Sequence, residues 1–189
     1  MWVVIGLGNP GRQYAESRHN AGFMVVKRLW KRWRFPEWKK KFRAKLSSGF
    51  RGAEEVFLVM PQTYMNRSGE AVALLVSFFK FPLDHLLIIY DDLDLPLGSI
   101  RIRRAGGPGT HRGMQSVVET LGREDFPRIR IGIGPLPEEA EAAQFVLEPF
   151  TPQEKEKLMP CLEAACEATE MILDGAIDQA MNLYNRQIV

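Results

Sequence analysis

The chain has 189 residues, 46% hydrophobic and 25% charged, a length and composition suited to one domain over residues 1–189 rather than two. No apolar stretch is long enough to span a bilayer and no cationic leader precedes the first apolar run, so the expected setting is cytoplasmic, without membrane attachment. The net charge of +2 conceals a division: residues 1–135 carry 22 Lys and Arg against 12 Asp and Glu, residues 136–189 carry 3 against 11, and a body so basic suits a polyanionic partner.

Residues 2–6, WVVIG, read as a buried strand. A loop to about Asn20 follows, then AGFMVVKRLWKRW with helical apolar spacing. KKKFRAKLSSGFRG alternates weakly, as a strand or an extended arm, and EVFLVMP is a short strand stopped by Pro61. SGEAVALLVSFFK predicts a helix with Asn66 or Ser68 as its cap. LLIIYDD is a second buried strand, and SIRIRRA a half-exposed one with arginines on one face. THRGMQSVVETLG predicts a helix that Thr110 caps and Gly122 ends. IRIGIG is another strand. Helices then take over, TPQEKEKLMPCLEAACEATEMILDG and AIDQAMNLYNRQ, with Pro160 expected to kink or break the first. Alternating strands and helices, with continuous apolar runs in the strands, predict an α/β fold: a single domain with a mixed, largely parallel twisted sheet and helices on both faces.

Two local patterns invite chemical readings. GLGNPG after the first strand fits G-x-G-x-x-G, but no helix opens there, and the window where a ribose-binding acid belongs reads KRLWKRW. The glycines are better read as a tight turn that presents Asn9, both donor and acceptor, at the strand end. Cys161 and Cys166 lie five residues apart on one helix, pointing to different faces, and read as small buried side chains. His19, His85 and His111 show no metal-ligand spacing.

Polar residues gather where apolar strands end: Asn9 after WVVIG, Asn66 after VFLVMP, Asp91 ending LLIIYD, and His19 in the first loop. An imidazole oriented by a carboxylate can take a proton from water, so His19 with Asp91 is a candidate general-base pair. Taken singly, each has an ordinary reading as a solvated loop or turn residue.

Together, GLGNPG..Y....RHN.GF, PQTYMN.SG, DDLDLP.G and R.RIGIG resemble the bacterial-type peptidyl-tRNA hydrolase family, in order and spacing, from the first strand to about Pro149. The resemblance implies an esterase that frees tRNA from peptidyl-tRNA, without metal or cofactor, mostly as a monomer. It implies His19 as the base and Asp91 as its orienting partner. Asn9, Tyr14, Tyr64 and Asn66 would bind substrate, and Arg101, Arg103 and Arg130 would hold acceptor-stem phosphate near the tRNA 3′ end. The chain departs from the pattern at Arg112, where the family usually has Asn; arginine cannot accept a hydrogen bond but can donate to a carbonyl or bind phosphate, so Arg112 is expected to take a substrate-binding role. Pro108 and Thr110 also replace common residues of the same loop, and Met60 and Tyr90 replace a common Lys and His. The competing reading is a non-catalytic RNA-binding protein on the same scaffold, with dinucleotide binding third. The aromatic, cationic run from Lys27 to Arg51 could add RNA contacts, although Trp30 and Trp33 at helical spacing also suit core packing.

Overall fold

The structure, a computed structural model, describes residues 1–189. In chain order its strands are β1 (Trp2–Gly6), β2 (Lys39–Lys41), β3 (Ala44–Arg51), β4 (Glu54–Pro61), β5 (Leu86–Pro96), β6 (Ile100–Arg103) and β7 (Arg128–Gly134). Its helices are α1 (Ala21–Arg32), α2 (Ser68–Phe79), α3 (Arg112–Leu121), α4 (Ala142–Phe145), α5 (Pro152–Leu173) and α6 (Ile177–Tyr184).

The strands form one sheet, ordered β2-β3-β4-β1-β5-β7-β6. The central β4, β1, β5 and β7 are parallel, while β2, β3 and β6 add antiparallel edges. β1 shows why its apolar run is continuous: Trp2 and Val4 enter one core, Val3 and Ile5 the other. β5 divides likewise, Leu87 and Ile89 against Leu86 and Ile88. A strand covered on both faces must be apolar at every position. The first core is closed by Phe23, Val26 and Leu29 of α1 with α5 and α6, the second by Val72 and Leu75 of α2 and Met114 and Val117 of α3. The fold class is the one the alternating pattern predicts.

The glycines of GLGNPG serve packing. A Cβ on Gly6 would overlap the Gly22 carbonyl, and one on Gly22 would overlap the Ile89 carbonyl, so α1 lies directly on the sheet. Gly11, at φ 107°, turns the chain into short 3-10 turns at Arg12–Tyr14 and Arg18–Asn20 before α1 begins. No helix N-terminus meets this loop, and the dinucleotide reading is dropped.

Three local expectations are corrected. Neither Asn66 nor Ser68 caps α2: Asn66 lies in the 3-10 turn Met65–Arg67, and Ser68 is the first residue of the helix, its hydroxyl donating back to the Met65 carbonyl at 2.7 Å. α3 is capped not by Thr110 but by His111, whose Nδ1 accepts the Met114 N–H at 3.1 Å; Gly122 does end it, in the left-handed conformation. α5 runs unbroken through Pro160. That proline is exposed, and so is Glu156, the residue whose carbonyl it leaves without an N–H partner. The cysteines are buried and unpaired, and burial pushes the Cys161 thiol up to about 11 and the Cys166 thiol to about 12. No helix is long and apolar enough to cross a membrane.

Candidate active site

The carboxyl ends of the parallel strands surround a cavity of about 620 Å³. This is where an open α/β sheet leaves its loops free to carry polar groups. β5 supplies Asp91 to its floor, with only 2% of the residue exposed. His19 comes from the second 3-10 turn after β1, and His111 from the amino end of α3.

Both imidazoles bind the one carboxylate. His19 Nδ1 lies 2.8 Å from Asp91 Oδ2, and His111 Nε2 lies 2.9 Å from Oδ1. The tautomers follow from these partners. His111 Nδ1 accepts a backbone N–H, so its Nε2 carries the proton donated to Asp91. His19 Nδ1 donates to the other oxygen, which leaves Nε2 with a lone pair. Burial pushes His19 down, but the charge and hydrogen bond of Asp91 outweigh it, leaving the pKa above the usual histidine value. Burial would raise Asp91; the charge that His19 takes up and the hydrogen bonds from His19 and His111 hold it far below the carboxylate range instead.

Asn9 is fixed by three bonds. Its N–H donates to Asn20 Oδ1 at 2.8 Å, and its carbonyl accepts Asn20 Nδ2 at 3.0 Å. Its own Oδ1 accepts the Met65 N–H at 2.7 Å, which ties the β1 loop to the one after β4. The side-chain Nδ2 keeps both its hydrogens for the cavity. Asn66 and Tyr64 line the same cavity and are exposed, Tyr64 at 59%. Arg112 also lines it, as the first residue of α3, exposed and without an acidic partner. Arg130 lines it too and pairs with Asp92 at 2.8 Å.

Tyr14, Arg101 and Arg103 lie outside the lining. Tyr14 is half-buried on its 3-10 turn. Arg101 stands opposite Arg130 across the β6–β7 ladder, and Arg103 opposite Arg128. Burial, then the charges of Arg130 and Arg101, lower the pKa of Arg103. Arg128 differs in kind: it is buried, and it donates to the carbonyls of Phe126, Glu124 and Gly106, holding the loop that leads to His111.

Two components escaped sequence reading. In the sequence His111 is only one of three histidines without metal-ligand spacing; its place on Asp91 depends on α3 docking beside β5, which no local pattern reports. The other is the wall from α4. The N–H of His19 donates to the Val146 carbonyl at 2.8 Å, and Arg18 grips the same segment. Its Nη1 donates to the Phe145 carbonyl at 2.8 Å, its guanidinium lies 3.7 Å from the Phe145 ring centroid, and Nη2 meets Glu154 at 2.8 Å.

Among the His, Cys, Asp and Glu side chains, only His19, Asp91 and His111 come close enough together to hold a metal ion. Their facing atoms already bond one another, so a metal would have to displace both hydrogen bonds. The arrangement suits proton transfer instead: a histidine with a free Nε2, a carboxylate behind it, and amide donors beside it in a cavity with an apolar wall.

The sequence profile of the peptidyl-tRNA hydrolase family matches residues 3–189. The chain belongs to the peptidyl-tRNA hydrolase family. It is 48% identical over 186 residues to a peptidyl-tRNA hydrolase of Carboxydothermus hydrogenoformans, covering 98% of this chain and 99% of that one. A relative from Bacillus pumilus is 41% identical over 188 residues, with both chains covered completely. The crystal structure of peptidyl-tRNA hydrolase from Acinetobacter baumannii superposes with a TM-score of 0.92 at 33% identity, covering 99% of this chain and 95% of that one. Hydrolysis of peptidyl-tRNA is the function of the family, and with it of this chain.

Proposed function

We propose that His19 is the base that activates water against the ester joining peptide to the tRNA 3′ ribose. The observation that carries this reading is the Asp91–His19 pair with Nε2 left free beside the donors of the cavity. The water proton passes to His19 Nε2 as the water oxygen bonds to the ester carbon. Asp91 holds the imidazole and stabilises the imidazolium that forms. Negative charge develops on the carbonyl oxygen, where the Asn9 amide and the Asn66 side chain donate. Collapse breaks the bond to the ribose oxygen, which takes the proton back from His19. The products are free tRNA and a peptide acid, which gives its remaining proton to solvent and leaves as the carboxylate.

His111 shares the second oxygen of Asp91 and is a positioning residue. Tyr64 and Arg112 contact the substrate near the ester, and Tyr14 meets the 3′ end at the rim. Arg101, Arg103 and Arg130 receive acceptor-stem phosphate, a contact that gives affinity without reading sequence and so suits an enzyme that accepts many tRNAs. Residues 1–189 act as one domain, as a monomer in the cytoplasm.

The test is release of tRNA from N-acetyl-aminoacyl-tRNA by wild type and His19→Ala. The variant is expected to lose about 10²- to 10⁴-fold in kcat/KM while tRNA affinity is kept. Undiminished turnover by the variant would remove His19 from the chemistry. A wild type that binds tRNA but hydrolyses nothing would leave the non-catalytic reading.

A further inference from the structure

A second cavity, of about 240 Å³, opens beside the first and shares Asn9 with it. Its polar rim is cationic: Arg12 from the β1 loop, Lys27 from α1 and Lys45 from β3 all line it. None of the three takes part in an ion pair. The acid whose charge reaches Lys27, Glu16, is held by Lys155 at 3.2 Å. Partial burial and the facing charge of Lys45 lower the pKa of Lys27, as expected of two ammonium groups with no anion between them. Asn9 lies between the two cavities. It is only 7% exposed as a residue, and its Nδ2, open to solvent, has no partner in the chain.

Sheet order gives this second cavity a direction. Arg130 stands on β7, Asp91 on β5, Asn9 after β1, Gln62 after β4, and Lys45 on β3 opposite Met60. Read across the sheet, the phosphate-binding arginines lie on one side of the reacting carbon. Arg12, Lys27 and Lys45 lie on the other. A peptidyl-tRNA whose ribose faces β7 must run its acyl chain toward β4 and β3.

We infer that the cavity of Arg12, Lys27 and Lys45 is a subsite for an acidic side chain of the peptide, one or two residues upstream of the esterified one. This rests on the esterase reading above. A carboxylate there would meet two or three cations, of which Arg12 and Lys27 are exposed and Lys45 is half-buried. Each such pair is individually weak, and together they are worth about a fivefold preference.

Three substrates on one tRNA test it: N-acetyl-Phe-tRNA, N-acetyl-Glu-Phe-tRNA and N-acetyl-Gln-Phe-tRNA. Wild type is expected to cleave the Glu substrate with kcat/KM about fivefold above the Gln substrate, mainly through KM. In the double variant Lys27→Met/Lys45→Met the ratio falls to about one, while N-acetyl-Phe-tRNA, too short to reach the cavity, is cleaved as by wild type. Lys27→Arg/Lys45→Arg keeps the preference. Equal rates for Glu and Gln in wild type would overturn the inference and leave the esterase reading intact. So would equal losses on all three substrates with weakened tRNA binding, which would make the cavity a site for RNA phosphate. Absence of turnover on every substrate would instead sink the esterase reading.

Discussion

Asp91 carries two imidazoles on one buried carboxylate, and each uses a different ring nitrogen. His111 is locked by the Met114 N–H on its far side. Only His19 retains an atom free for chemistry. Because Asp91 raises the His19 pKa, the neutral base is present only above that raised value, and kcat/KM is expected to fall as pH drops through it. Asp91→Asn removes the raising charge while burial still lowers the pKa. The acid limb is then expected to move to lower pH, with kcat/KM reduced about 10²- to 10⁴-fold by loss of the oriented tautomer. A pH–rate profile whose acid limb stays in place in the variant would show that Asp91 does not set the titration of the base.

At the scale of elements, the site is a set of strand ends closed by α4. Arg18, beside the proposed base, holds that wall through the Phe145 carbonyl and reaches Glu154 on α5. Glu154 also closes the capping box of α5 with Thr151. Burial would raise its carboxyl, but the hydrogen bonds from Arg18 and Thr151 hold it below the usual value. Its contribution to stability is therefore complete above the unfolded value, about 4.3, and is lost as pH falls through the lower folded value. Glu154→Gln keeps a side chain able to cap and loses the ion pair with a buried arginine. It should cost about 2 kcal/mol at pH 7, roughly 4–8 °C in Tm, with a gap to wild type that closes in acid. Thermal melts at pH 7 and pH 3 check this, and a gap that does not shrink would assign the cost to packing.

The same elements show what was legible beforehand. Asn9, Asn66 and Asp91 stood out because each interrupts or ends an apolar run, and strand ends are where sheets place sites. The caps of α2 and α3 were misread because the chain enters through 3-10 turns, and because an imidazole does the work expected of Thr110. The wall and His111 were invisible because they join residues far apart in sequence. No spacing rule connects Arg18 to Phe145.

Across the whole molecule, the division between a basic body and an acidic end is partly consumed by the fold. Glu163 and Glu170 of α5 take Arg28, Arg32 and Arg51, and Asp178 of α6 takes Arg104. The basic groups left without acids include Arg101, Arg103 and Arg112, and these stand at or beside the main cavity. On the proposed function, attraction to RNA rests on their position more than on net charge. tRNA affinity is expected to fall steeply with added salt, and each Arg→Ala change among these three should flatten the logarithmic slope by about one. A slope unchanged by Arg112→Ala would place that arginine off the phosphate path.

The hydrogen bonds from Arg18 and His19 to Phe145, Val146 and Glu148 bear on how the protein is made. The ribosome delivers the amino end first, so His19 and Asp91 emerge well before the carbonyls that position this loop. A nascent chain in that condition is itself a peptidyl-tRNA, joined by the bond that its finished form cleaves. Its wall exists only once residues 142–148 have been added, so about three quarters of these 189 residues are made before the molecule is equipped to cut such a link.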